Sequence, residues 1–264
     1  MGLGKDLVAG VVTETGIGNF IAVVAGSGDT FAVRALTPAG TAYLEDVIRH
    51  GTATGIVRVR SPLMHDDVQG IRALLPAGCQ FIGGTQYFQQ QLQALDVLIL
   101  ESTGTNANVD VCALGIYYTD IAGISANLVM PGDIAGRIRN IVSVQVACTS
   151  SATIGNWADT LINATMDLLH ANSQYAVLGY LTDVAVPAVA IRGIDVGNLR
   201  CGGPGLLMPD YTQWYFCDMS MNTGRPHIPV INANNKGGTF VSVLGLTASV
   251  AVNVSLIMAE LTAA

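Results

Sequence analysis

From Phe240 to Ala259 the chain runs for 20 residues without a charged side chain, the length a membrane-spanning helix requires. Its pattern points elsewhere. Val250, Val252, Val254 and Leu256 alternate with Ala251, Asn253 and Ser255, a period of two rather than 3.6, and Val-rich alternation fits a half-buried strand. The same vocabulary recurs at Asn19–Val24, Thr30–Arg34, Ile56–Arg60, Val68–Leu75, Val97–Glu101 and Val109–Tyr118. It returns at Ile141–Ala147, Tyr175–Leu181, Ala188–Gly193, Gln213–Asp218, Ile228–Ile231, Phe240–Leu244 and Val250–Met258. Short strands with turn signals every 8–12 residues or so imply a sandwich or a barrel. Two stretches read as helices, Ala42–His50 and Trp157–Ala171, the second with Leu161, Thr165, Leu168 and Leu169 near one face.

These helices reveal an internal repeat. A shift of 120 residues lays His50 on His170 and the strand near residue 20 on the strand near residue 140. VDVCALGIYY (109–118) resembles VAVNVSLIMA (250–259) at a larger offset. The second half therefore carries an insertion, expected around Cys201–Asp210. Pro131-Gly132 marks a turn in the linker. The expected organisation is all-β: two tandem jelly-roll β-sandwich or barrel domains, 1–122 and 137–264, joined by 123–136, each with one short helix.

Charge is scarce. Lys and Arg number 12 and Asp and Glu 19 among 264 residues, 12% in all, against about 25% in an average soluble domain. A monomer of this mass exposes roughly 11,000 Å², or about one charge per 350 Å². That is sparse for an isolated globule and implies contact with other copies. The net charge of −7, with Lys5 and Lys236 as the only lysines, excludes a nucleic-acid binder that grips phosphates by charge. No apolar h-region opens the chain, so no signal peptide is read there. Gly2 lacks the Ser or Thr at position 6 that myristoylation uses, since that position is Asp6. The sequons at Asn163 and Asn253 matter only in a eukaryotic secretory pathway.

Chemistry-bearing spacings are missing. The five cysteines, Cys79, Cys112, Cys148, Cys201 and Cys217, form no C-x-x-C and read as small buried hydrophobes. The four histidines, His50, His65, His170 and His227, form no H-x-H or H-x-x-x-H. His65-Asp66-Asp67 is a weak candidate for a Ca²⁺ or Mg²⁺ site, and reads equally as a polar turn after a strand. No G-x-S-x-G or phosphate-loop motif occurs. Asn234-Asn235-Lys236-Gly237-Gly238 reads as a hairpin turn with positive φ. Glu101 and Asp110 could pair as acid and base, as could any two carboxylates of a β protein. Trp157 and Trp214, the only tryptophans, offer a thin platform for sugars. In the polar loop 192–200, Arg192, Asp195, Asn198 and Arg200 are candidates for an internal Arg–Asp pin or a contact between subunits. No catalytic residue, metal or cofactor is expected.

Sparse charge, missing active-site motifs and two jelly-roll-like halves in tandem together resemble the double jelly-roll major capsid proteins of tailless DNA viruses. The resemblance lies in architecture and in no sequence motif. It implies a trimeric, pseudo-hexagonal capsomer that tiles into a virion shell assembled in the host cytoplasm. The segments 76–96 and 201–210 would be towers or side contacts. The partners it implies are copies of the chain and minor capsid or penton proteins, with a membrane or second protein between shell and genome. Two other readings stay open: a bicupin-like enzyme or sugar-binding double barrel, and a non-viral tube or surface-layer subunit.

Overall fold

A computed structural model describes residues 2–64, 66–83, 89–104, 109–162, 169–205 and 209–262, the side chains of Cys79, Pro209 and Asp210 excepted. The protein is all-β, built of antiparallel sheets. The first half contributes β1 (Gly4–Thr13), β2 (Ile21–Ala22), β3 (Val24–Ala25), β4 (Ala42–Gly51), β5 (Gly55–Arg60), β6 (Ile71–Leu75), β7 (Gly78–Gly83), β8 (Gln90–Leu92), β9 (Ile99–Gly104) and β10 (Val109–Tyr118). The second contributes β11 (Leu128–Val129), β12 (Ile138–Thr149), β13 (Trp157–Leu161), β14 (Gln174–Thr182), β15 (Val186–Arg192), β16 (Cys201–Gly205), β17 (Ile228–Asn232), β18 (Phe240–Leu244) and β19 (Ala251–Leu261).

Both halves pair their strands in one order. The first forms β3-β1-β10-β4-β7, with β8 also on β4, and β2-β9-β5-β6. The second forms β11-β17-β14-β19-β12 and β13-β18-β15-β16. Val23 lies where one strand leaves one sheet for the other, so β2 and β3 count as one strand. With the minor β8 and β11 set aside, the described residues of each half form eight strands ordered 1-8-3-6 and 2-7-4-5. Alternation fills the space between the sheets. Val8, Leu44, Val47, Val57, Val59, Leu100 and Leu114 share the first core, and Val144, Val146, Val177, Val189, Val241, Val243, Val254 and Leu256 the second.

The repeat is therefore present in pairing order, but not at a shift of 120. The strand near residue 20 is the second of its half, whereas β12 is the first of its own. Both third strands carry a bulge against the eighth, between Gly115 and Ile116 for β4 on β10 and between Val177 and Gly179 for β14 on β19. The extra residues lie between β16 and β17, where the second half has a helix at Tyr215–Thr223 and the first half passes almost directly from β6 to β7.

Five local expectations are corrected. Ala42–His50 is a strand, not a helix. Its bulge places core residues Leu44 and Val47 three apart, and its other face is buried too, so the pattern imitates a helical stripe. Trp157–Leu161 is likewise a strand, paired with β18; the rest of that expected helix falls largely on 163–168, outside the described residues. Gln213–Asp218 is not a strand, because Tyr215–Thr223 is helical. It buries Tyr215, Phe216, Met219 and Ser220 on one face and ends at Gly224 with φ 69°, the left-handed C-terminal cap that glycine favours. Residues 233–238 form a 3₁₀ turn joining strands of different sheets, so the expected hairpin is absent. Cys201–Gly205, expected within the insertion, is a strand paired with β15.

Candidate functional site

The halves meet sheet on sheet. Leu7, Ala9, Ile48, Val111 and Ala113, on the outward face of the first half's 1-8-3-6 sheet, pack on Ala188, Ala190 and Leu244 of the second half's 2-7-4-5 sheet. Alanines on both sides allow a close approach, and the Leu7 N–H donates to the Arg200 carbonyl at 3.0 Å.

Charged groups flank this apolar seam. Lys5 and Asp46, both with fully buried side chains, pair at 2.5 Å. Tyr215 Oη accepts from Lys5 Nζ at 2.9 Å and donates to Asp46 Oδ2 at 3.1 Å. Beside them Glu45 accepts from Arg225 at 3.0 Å and lies 3.4 Å from His227 Nε2, while the Arg225 guanidinium lies 3.7 Å from the Tyr43 ring centre. The β4 bulge explains why adjacent Glu45 and Asp46 both reach seam partners: it breaks the period of two and re-aims a side chain. At the rim, Arg200 pairs with Asp29 at 2.6 Å, and Trp157 Nε1 donates to Asp29 at 3.0 Å. Arg34 pairs with Asp6 at 2.6 Å. Asp6, Asp29, Arg34 and Arg200 line a cleft of about 280 Å³ with Val8, Gly28, Thr30, Ala32 and Val33. Burial pushes the Asp29 carboxyl above its ordinary range despite Arg200.

A third polar group lies inside the first half. Arg49 contacts Glu14 at 3.3 Å and also Asp110, all three side chains fully buried, and Ser102 Oγ donates to Glu14 at 2.5 Å. A Cβ on Gly55 would sit 2.5 Å from an Arg49 nitrogen, so that position must stay bare. Two carboxylates share one guanidinium. Burial, with Glu14 adding to it, raises the Asp110 pKa to about 7 against the pull of Arg49. With a native value above the unfolded one of about 3.9, the folded state keeps a proton the unfolded chain has released. This contribution to stability is full below about pH 4 and is lost as pH rises through about 7. Asp110→Asn should therefore flatten the urea-midpoint profile between those limits and gain relative to wild type at pH 8. A wild-type profile already flat there would refute the proton kept by Asp110.

Sequence candidates fall in several places. Asp66 is exposed, and its Oδ1 accepts from the Val68 and Gln69 N–H groups at 3.0 and 2.8 Å, so it caps a turn; Asp67 is exposed beside it, and His65 lies outside the described residues. Arg192 pairs with Asp159, not Asp195, at 2.6 Å. Asp195 instead accepts from Asn232 N–H at 3.0 Å and Asn235 Nδ2 at 2.7 Å. Asn198 has φ 58° and donates its N–H to the Gly193 carbonyl at 2.7 Å. Arg200 reaches the first half. Glu101 and Asp110 are not brought together, since Glu101 is held by Arg58 and Arg60 at 2.6 and 3.0 Å. Among the described residues no three His, Cys, Asp or Glu side chains group as metal ligands. Burial pushes the Cys112 and Cys201 thiols up to about 12, which keeps them protonated. Sequence reasoning missed the seam residues Lys5, Glu45, Asp46, Tyr215 and Arg225, because partners on distant strands leave no local spacing.

Two outer sheet faces are left. On the first half's 2-7-4-5 sheet, Arg72 and Leu74 are exposed and Ile56, Arg58 and Arg60 partly so. On the second half's 1-8-3-6 sheet, Ile141, Ser143, Gln145, Ala147 and Thr149 form an exposed, uncharged row along β12. No helix among the described residues is long and apolar enough to cross a membrane.

The chain matches no protein-family profile and no curated protein. Among solved structures it is similar to the major capsid protein P2 from Bacteriophage PM2, at 9% identity and a TM-score of 0.24, over 96% of this chain and 98% of that one. It is also similar to the PBSX exported protein XepA, at 10% identity and a TM-score of 0.20, over 93% and 89%.

Proposed function

We propose that this chain is a structural shell subunit and not an enzyme, two jelly rolls in tandem that close as a trimer and tile into a lattice, a virion shell being the favoured one. The eight-strand order 1-8-3-6 and 2-7-4-5, used twice, supports the jelly-roll assignment. The seam carries the assembly reading. It is a heterologous contact, the outer face of a 1-8-3-6 sheet on the outer face of a 2-7-4-5 sheet, and one face of each kind is left at the two ends of the molecule. A second copy can repeat the same kind of contact from end to end, and heterologous contacts close into rings when the rotation permits. Six such halves come from three chains. The uncharged row on β12 suits burial, because interface cores are depleted of charge. The acidic balance speaks against direct contact with a genome, so a lipid layer or another protein would lie between.

Light scattering at micromolar concentration should report a trimer. Ser143→Arg places an unpaired charge in the proposed contact, at a cost of about 3–5 kcal/mol if it stays dry and unmatched. This variant should run as a monomer with its thermal midpoint nearly unchanged, because the residue is exposed within one chain. A wild-type chain that stays monomeric across salt conditions sinks the trimer. Electron microscopy then separates the lattices: icosahedral particles support a virion shell, and tubes or flat sheets replace it with a tube or surface-layer subunit.

A further inference from the structure

Lysine is the residue this chain almost lacks, yet one of its two, Lys5, is buried completely. Its amine lies 2.5 Å from Asp46 Oδ2, and that side chain too is fully buried. The two residues are not on neighbouring strands: β1 and β4 are separated by β10, and both pair with it. Contact across the intervening strand is possible because β10 carries Gly115 there, where a Cβ would lie 2.5 Å from Asp46 Oδ2. A third group completes the set. Tyr215 Oη accepts from Lys5 Nζ at 2.9 Å and donates to Asp46 Oδ2 at 3.1 Å, and its ring is seated against Gly203, where a Cβ would come within 2.1 Å of Tyr215 Cζ. Amine, carboxyl and a phenol bridging them are thus fixed together, away from bulk water.

We propose that Lys5 and Asp46 condense, without any cofactor, into an intramolecular amide that ties β1 to β4 across β10. The chemistry balances. The ammonium passes one proton through Tyr215, which gives its own proton to Asp46 Oδ2 as it accepts that of Lys5, leaving a neutral amine beside a carboxylic acid. Burial favours the neutral amine, but Asp46 and Glu45 beside it raise the Lys5 pKa overall, so the neutral pair is the minor state through which the step passes. The Nζ lone pair attacks Cγ, a second proton follows to Oδ2, and the C–O bond breaks. One N–C bond forms and one water leaves, with no oxidant or reductant. Proximity supplies the drive for a step that is slow between free side chains, since fixed reacting groups behave as if at very high effective concentration. Tyr215 acts on the reacting atoms and is the catalytic residue of this step.

The experiment is mass spectrometry of the full chain after denaturation, followed by tryptic mapping. The expected mass is one water below that of the sequence. Cleavage after Lys5 should be lost, and residues 1–34 should appear joined to residues 35–49 as one branched peptide. Lys5→Arg, which keeps the charge pair, and Asp46→Ala should both restore the unlinked peptides. Tyr215→Phe should leave most chains unlinked after purification, with the linked fraction rising slowly on incubation. A wild-type chain at full sequence mass, with a free 6–34 peptide, overturns the proposal; so does a link from Lys5 to Glu45 in place of Asp46. A Tyr215→Phe chain linked as fully and as fast as wild type overturns the proton relay.

Discussion

Replacing Arg49 with methionine is expected to lower the free energy of unfolding by about 3–5 kcal/mol, the usual loss when one partner of a buried ion pair is removed. The guanidinium is fully buried between Glu14 and Asp110 and donates to the Ala53 carbonyl at 2.7 Å. Methionine fills the stem volume and removes the charge, so two carboxylates face each other with no counter-ion. The loss should be larger at pH 8 than at pH 5, because Asp110, with its pKa raised to about 7, keeps a proton at the lower value. Urea unfolding at the two pH values measures both effects. Combining Arg49→Met with Asp110→Leu and Glu14→Gln should recover most of the loss, since an apolar replacement of a buried charge group is often close to neutral. A loss under about 1 kcal/mol at pH 8 would mean that water reaches the cluster.

Glu45→Ala should cost a similar amount, about 3–5 kcal/mol, but at the seam instead of inside a half. Its carboxylate, 1% exposed, is the counter-charge for Arg225. Burial pushes the Glu45 pKa up, yet His227 and Arg225 hold it below the ordinary value, with Lys5 adding to them for as long as its amine is free. A lowered native value contributes stability above the unfolded pKa of about 4.3, and that stability is lost as pH falls through the native value. The variant should therefore lose stability at neutral pH and show a shallower acid limb. Hydrogen exchange locates the damage: amides of 215–230 should open faster, while those of β12 and β19 keep their protection. Uniform acceleration over the whole chain would contradict a seam-specific role.

Much of the fold was legible because most strands bury one face and show the period of two. Val109–Tyr118 and Phe240–Leu244 have the strand limits their patterns suggest, and Val57 and Val59 share the face opposite Arg58 and Arg60. Reading failed where both faces are buried. In β4, Leu44 and Val47 face a core, Ile48 faces the seam, and Glu45, Asp46 and Arg49 are buried with partners from other strands. Charge there signals a second interface instead of solvent. Glycine misled for a related reason: CGGPG lies in the stretch expected to be the insertion, yet it is a strand in which the bare Gly203 admits the Tyr215 ring. The polar clusters were illegible because Lys5, Asp46 and Tyr215 are brought together by the packing of two halves, and no local spacing encodes that. The helix at Tyr215–Thr223 could have been found from Gly224 and the four-residue step from Tyr215 to Met219.

The strand order also sets a timetable for the growing chain on the ribosome. β1 pairs along its length with β10, and β12 with β19, so each half begins with a strand that must wait for its last. Such distant pairings fold slowly. The first half can close once β10 has emerged, but its outward face then shows Leu7, Ile48 and Val111 beside Lys5, Glu45 and Asp46, with no cover until β15 and β18 are synthesised. A nascent chain stalled between the halves would present a sticky, charged sheet to its neighbours. Translation rate through residues 123–244 thus becomes a variable in the yield of soluble subunit, and slowing it should raise capture by holding chaperones.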